Sequence, residues 1–409
     1  MEMTNDVGGF TPVCDHVEPT GAMRILLSLI KHIRLGSLTI VLPDGQRFTG
    51  QGTEPGPDGE VWVYDQAFAS RMLTGGRLGF SEAYMDGLCE SPDLTALLEV
   101  TALNQDHISK ALTGQPVARL VARLWHALRP NSRKGSRKNI SYHYDLGNAF
   151  YKRWLDPSMT YSSAVYPSGN ASLEEAQRNK YRRIAEIAGV RPGDRVLEIG
   201  CGWGGFAEYA VREIGCHVTG ITVSQEQHDF AARRLSHAGM NEASEIRLQD
   251  YRDVEKGQYD RIVSIEMFEA VGQSYWPKFF ETVHAALKPG GTAGLQIITI
   301  ADTLFDDYRR SVDFIQRYIF PGGMLPSPSA LKQQVDNAGL SLVQRDGFAP
   351  DYAATLAEWR QRFLAAWPEI LPSGFDERFR RMWLLYLCYC EAGFRARTID
   401  VEQIALARA

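Results

Sequence analysis

Two carboxylates and a set of alternating glycines carry the chemistry that can be read directly from this chain. Glu198 lies within Val196-Leu-Glu-Ile-Gly-Cys-Gly-Trp-Gly-Gly205, an apolar run that ends in glycines. Gly200, Gly202 and Gly204 allow a tight strand-to-helix turn, let a ligand approach the backbone, and leave helix amides unpaired and facing it. Dinucleotide enzymes use a similar turn, so the glycines alone leave the ligand open. Two further features favour S-adenosylmethionine. The stretch Gly220-Ile-Thr-Val-Ser-Gln-Glu-Gln227 has Thr222 where a nicotinamide enzyme would carry an acidic residue. Its Ser224 and Gln227 form a Ser-x-x-Gln capping box that opens the next helix. Leu248-Gln-Asp-Tyr251 then places Asp250, beside Tyr251, where a carboxylate can accept from an adenine amine. Glu198, Trp203 and the glycines are expected to hold the methionine portion of that cofactor.

The elements that must position these residues alternate between strand and helix. Strands are predicted over 195–199, 217–222, 245–249, 259–266 and 292–299, with helices over 173–188, 206–213, 225–237 and 276–287. This alternation builds an α/β fold: a doubly wound, Rossmann-like parallel sheet whose ligand site lies outside the carboxyl ends of the strands. Residues 1–108 read as a separate, small α+β domain, with strands at 37–42, 46–51 and 60–64 and helices at 66–74 and 81–98. Between the two, 109–138 is a basic linker. Arg119, Arg123, Arg129, Arg133, Lys134, Arg137 and Lys138 lie there with no acidic residue among them. Leu120, Val121, Leu124, Trp125 and Leu128 recur along one helical face, so the segment suits an anionic membrane surface or a solvated linker. The catalytic domain is 139–409.

Bulk properties remove several classes. A net charge of −5 and the lack of an aromatic stacking platform beside the basic residues argue against nucleic acid. The six cysteines form no CxxC pair, which argues for a reducing compartment and against a metal site. No signal peptide or bilayer-spanning run is expected, so the chain is expected in the cytoplasm.

Longer motifs sharpen the reading. Tyr142-His-Tyr-Asp-Leu-Gly-Asn148, Thr160-Tyr-Ser162, Ile199–Gly205 and Met267-Phe-Glu269 resemble the cyclopropane-fatty-acyl-phospholipid synthases, as do Arg317-Tyr-Ile-Phe-Pro-Gly322, Phe363–Glu369 and Gly393–Arg397. The catalytic half is also similar to the mycolic acid cyclopropane synthases. The resemblance implies methyl transfer from S-adenosylmethionine to the double bond of an acyl chain in a membrane phospholipid, giving a cyclopropane. It adds Tyr161 and Ser162 to the cofactor site. It also implies a protein peripheral to the inner face of the membrane, with membrane phospholipid and a second copy of itself, as a homodimer, as partners. Glu82, Tyr84 and Met85, in Glu82-Ala-Tyr-Met-Asp-Gly87, match the family's lipid-handling domain. An alkene is a weak nucleophile and yields a carbocation, so the site needs aromatic faces and dryness. Phe305, Tyr308, Phe314, Tyr318 and Phe320, closed by Pro321-Gly-Gly323, form a helical lipid-binding insertion suited to that need.

Ring closure requires a proton to leave the transferred methyl. In the family a bicarbonate ion, held by a cysteine, a glutamate, a histidine and a tyrosine, serves this step. Glu269 and Tyr352 match two of those positions. Ser163 stands for the cysteine and Gln296 for the histidine, while Ala270 follows Glu269 and Glu266 adds a carboxylate just before it. Bicarbonate is therefore a weaker expectation than S-adenosylmethionine. An alternative product is a methyl-branched or methylene chain, and a third reading is a non-catalytic lipid-binding protein. A further family cysteine matches Cys390, although its apolar setting also suits a buried, inert thiol.

Overall fold

The computed structural model describes residues 10–14, 16–105, 107 and 146–409. The basic segment, and Tyr142–Asp145 of the first motif, lie outside the described residues. Of the described residues, those up to 107 together with Leu371–Ala396 form one compact unit, and those from 146 to Ile370 together with Arg397–Ala409 form another. The expected boundaries differ in one respect, because residues near the C-terminal end contribute a helix to the first unit.

The first unit has a four-stranded sheet in the order β2-β1-β3-β4, with β1 Leu35–Val41, β2 Arg47–Gln51, β3 Glu54–Val63 and β4 Cys89–Glu90. The glycine pair expected to separate two helices instead bends a single one. This bent helix spans Ala67–Met85 and breaks at Gly76, whose φ of 55 and ψ of −130 are open only to glycine. The helix expected to continue to Leu98 stops at Met85. Cys89 and Glu90 pair with β3, and a new helix, capped by Asp93, covers Leu94–Leu103. The helix Glu377–Arg395 places the buried Arg381 against Tyr84: its guanidinium lies 4.2 Å from the ring centroid and donates to the carbonyls of Tyr84 and Cys89.

In the second unit a seven-stranded sheet runs β10-β11-β9-β8-β5-β6-β7. Strands β5 Arg195–Ile199, β6 His217–Thr222, β7 Ser244–Leu248, β8 Tyr259–Ile265 and β9 Leu287–Ile300 are mutually parallel, as the alternation predicts. The sheet is nevertheless mixed. β11 Ile399–Arg408 inserts antiparallel between β9 and β10 Leu340–Gly347, and neither strand is among those expected from the sequence. A helix covers Leu173–Ala188. It starts where it does because Ser172 and Glu175 form a reciprocal capping box, and it stops at Gly189 in the left-handed region. Its buried face carries Leu173, Gln177, Lys180, Tyr181 and Ile184. Two polar residues on a core-facing stripe must be answered by polar partners beneath.

Candidate active site

The turn after β5 is built as expected. Gly200, Gly202 and Gly204 have φ values of 84, 52 and 82, a region costly for residues with a Cβ. A Cβ at Gly200 would press on Met267 at 2.7 Å, whereas one at Gly202 would meet nothing within 4 Å. The turn is thus closed on its protein side and open on the other. Glu198 is 3% exposed, and its Oε2 is buried without a protein hydrogen-bond partner. Burial raises its pKa well above the ordinary carboxylate value, against the pull of Lys180 and Arg234. An acceptor left over beside an open glycine turn fits the methionine portion of S-adenosylmethionine.

Other predicted cofactor residues gather at the same strand ends. Trp203 donates to Asn148 Oδ1 at 2.6 Å. Ser224 caps its helix as expected, but only half of the box forms: the Thr222 hydroxyl accepts from the Ser224 amide and donates to Gln227 Oε1. Asp250 holds Arg252 through both oxygens, at 2.8 and 2.6 Å, and Tyr251 packs on Phe279. Tyr161 packs against Tyr151, Trp154 and Trp359, with ring centroids 5.3–5.7 Å away. Ser162 is buried and accepts from Lys180 Nζ at 2.6 Å.

Beside these residues, donors from three segments converge on Glu266. The Ser163 backbone N–H and the Gln296 amide reach Oε1 at 2.8 and 2.7 Å, and the Tyr352 hydroxyl reaches Oε2 at 2.6 Å. The Ser163 hydroxyl turns away to donate to the Ala164 carbonyl. Its side chain therefore gives the carboxylate nothing, and a cysteine-to-serine change leaves this donor intact. Gln403, opposite Gln296 in the β9–β11 register, donates to Gln296 Oε1 at 3.0 Å and so aims the amide nitrogen at Glu266. Glu269 accepts the Ile298 N–H through Oε1, while its Oε2 is buried without a hydrogen-bond partner.

The insertion after β9 contains a helix, Asp302–Tyr308, a π-helical turn, Ile315–Ile319, and a further helix, Pro328–Asn337. Phe305 stacks on Trp276, Phe314 packs on Tyr318, and the turn after Phe320 delivers the Met324 N–H to the Glu269 carbonyl at 2.8 Å. The aromatic insertion is thus fastened to the backbone of the reaction centre. Cys390 belongs to the first unit, on the helix Glu377–Arg395. Tyr84 and Met85 are interior residues there, 1% and 2% exposed, because the bent helix turns them into the core. They present no surface to a lipid; Glu82 is only partly buried.

Burial, and then the neighbouring Glu266, pushes the Glu269 carboxyl up to about 8. Burial also raises Glu266. A folded pKa above the unfolded one means that the folded state binds the proton more tightly. The associated stability is full below the ordinary carboxylate range and is lost as pH rises through the folded value. Lys180, lowered by burial to about 7, has the opposite effect only above that pH. The Tm should therefore decline from the carboxylate range up to about 7, and Glu269→Gln should flatten the decline. An equal slope in the variant would refute the assignment.

Sequence reasoning missed Lys180 and Gln403. Lys180 carried a signal, since it sits on the apolar stripe of its own helix, where a lysine needs a buried partner. Gln403 carried none, because β11 was not foreseen.

Residues 131–404 match the family described as mycolic acid cyclopropane synthetase. Tuberculostearic acid methyltransferase UfaA1 of Mycobacterium tuberculosis is 39% identical over 95% of this chain and 91% of its own. The cyclopropane-fatty-acyl-phospholipid synthase of Escherichia coli K12 is 39% identical over 85% of this chain and 88% of its own. Among solved structures, mycolic acid cyclopropane synthase CmaA1 complexed with SAH and CTAB superposes with a TM-score of 0.63 at 29% identity, covering 66% of this chain and 98% of its own.

Proposed function

The chain belongs to the mycolic acid cyclopropane synthetase family, and from that premise we propose that it methylates the double bond of an unsaturated acyl chain carried by a membrane phospholipid. It is an S-adenosylmethionine-dependent methyltransferase acting on lipid chains. The observation that carries the finer reading is the polar cluster of Glu266, Glu269, Gln296 and Tyr352 at the strand ends, beside the open glycine turn and under an aromatic insertion.

Bound S-adenosylmethionine supplies an electrophilic methyl carbon. Glu198, the glycine turn, Trp203, Tyr161 and Ser162 hold it, with Thr222, Gln227, Asp250 and Tyr251 completing the site. The aromatic side chains exclude water and face the cation that forms on the lipid. A carboxylate of this cluster then receives a proton from the adduct. Among the described residues no helix is long and apolar enough to cross a membrane. In this reading the lipid is met from the membrane surface, at the cytoplasmic face.

Ring closure to a cyclopropane is the outcome the family resemblance implies. A second reading, the open methylene or methyl-branched chain, is favoured by the changes at Ser163 and Gln296, which fall on the proton-removing side and leave the cofactor turn intact. The similarity to a tuberculostearic acid methyltransferase over nearly the full chain supports it. Purified protein, S-adenosylmethionine and vesicles of oleoyl phosphatidylglycerol should give a lipid that gains one CH2. Proton NMR then separates ring methylene from vinylidene signals. Absence of any such gain, with vesicles or with free oleate, would sink the proposal.

A further inference from the structure

The donor set expected to hold bicarbonate is already spent on the protein itself. The Ser163 N–H, the Gln296 amide and the Tyr352 hydroxyl all end on Glu266, whose two oxygens present the geometry of a small carboxylate or carbonate anion. Bicarbonate therefore does not fit here. We propose that the Glu266 carboxylate is built into the place of that anion and is the proton acceptor of this reaction centre.

The backbone supports a purpose-built position. Glu266 has a φ of 49, one of three non-glycine residues with positive φ among the described residues. Such a conformation is costly for a residue with a Cβ and persists where the surroundings over-determine it. Here the Glu266 N–H is tied to the Gln296 carbonyl at 2.9 Å as β8 ends, and the side chain is held by three donors. The left-handed turn folds the carboxylate back under the segment carrying Ser163. Neutral Gln296 suits this arrangement, because a resident carboxylate needs a donor there, and buried Lys180 supplies the nearby positive charge.

The inference rests on the methyl-transfer reading. In that reaction the sulfur–methyl bond breaks with its electron pair passing to sulfur. The alkene π pair forms the new carbon–carbon bond, leaving a cation on the other alkene carbon. A methyl C–H bond then breaks, and its proton passes to a Glu266 oxygen. The freed pair closes the ring, or forms a double bond if a hydride has first shifted to the original cationic carbon.

The test is Glu266→Gly. Glycine accepts the positive φ without strain and empties the anion position while keeping its three donors. Wild-type conversion of oleoyl phosphatidylglycerol should be the same in carbon-dioxide-stripped buffer and with added bicarbonate. Glu266→Gly should bind S-adenosylmethionine as before but convert at least a hundredfold less, in line with loss of a general base. Added bicarbonate or formate should then restore conversion at least tenfold. Glu266→Gln, which keeps the volume, should show the same loss without rescue, and it decides the matter if the glycine variant does not fold. Carbon-13 NMR of labelled bicarbonate should detect no binding to wild type and binding to Glu266→Gly. Bicarbonate binding to wild type, bicarbonate-dependent wild-type turnover, or full activity of Glu266→Gln would overturn the inference. Failure of wild type to release S-adenosylhomocysteine with any lipid would defeat the methyl-transfer reading instead, and the bicarbonate-binding arm would still decide whether Glu266 fills the anion position.

Discussion

Glu198→Ala is expected to weaken S-adenosylmethionine binding by about a hundredfold in calorimetry, with little change in fold. Glu198 is the fourth residue of β5, paired in register with Gly220 of β6 and Val263 of β8, so the sheet holds it rigidly at the strand ends. Its Oε2 is buried with no protein partner, a cost that a bound donor would offset. Hydrogen bonds to a charged group are worth about 1.5–3 kcal/mol, and about 1.4 kcal/mol corresponds to a factor of ten in affinity. The upper part of that range gives the hundredfold loss. Glu198→Gln, which keeps an oxygen acceptor and loses the charge, should fall between. An unchanged Kd in the alanine variant would remove Glu198 from the cofactor site.

Lys180→Met should lower the Tm on the order of 10 °C near neutral pH, and the deficit should shrink as the pH is lowered. Lys180 is 0% exposed and lies among Glu266, Asp156 and Glu198, whose charges oppose the burial that lowers its pKa. Methionine keeps the volume and apolar stem, so the change isolates the charge. Removing one partner of a buried charge cluster costs roughly 3–5 kcal/mol, because the remaining ions lose their compensation. For a unit of this size each kcal/mol moves Tm by roughly 2–4 °C. Glu198 and Glu266 both have raised pKa values, so falling pH neutralises them and removes the need for the ammonium. Thermal scans across pH check this. A deficit independent of pH would mean that Lys180 matters through packing alone.

The strand–helix alternation from Leu173 to Ile300 was legible because local patterns determine it. Short apolar runs, capping residues such as Ser172 and Ser224, and left-handed glycines act within a few positions of themselves. For the same reason β5 and β6 occur at the expected bounds. The last two strands were not legible. β11 carries buried polar residues, Glu402 and Gln403, within its apolar run, and its place between β9 and β10 is a choice of long-range pairing that no local signal records. The bent helix Ala67–Met85 was likewise hidden, since a glycine pair can end a helix or kink it, and the packing of its second half decides which.

The same division runs through the site. Sequence alone determined the glycine turn, the residues flanking the cofactor site and the departure of Ser163 and Gln296 from the family pattern, because residue type and spacing are local facts. Only the tertiary structure decided what that departure means. Ser163, Gln296 and Tyr352 lie 103, 30 and 86 residues from Glu266 along the chain, and their meeting on it depends on the strand register and a left-handed backbone turn. A hydrogen bond needs its partners within about 3 Å, and that proximity belongs to the folded chain.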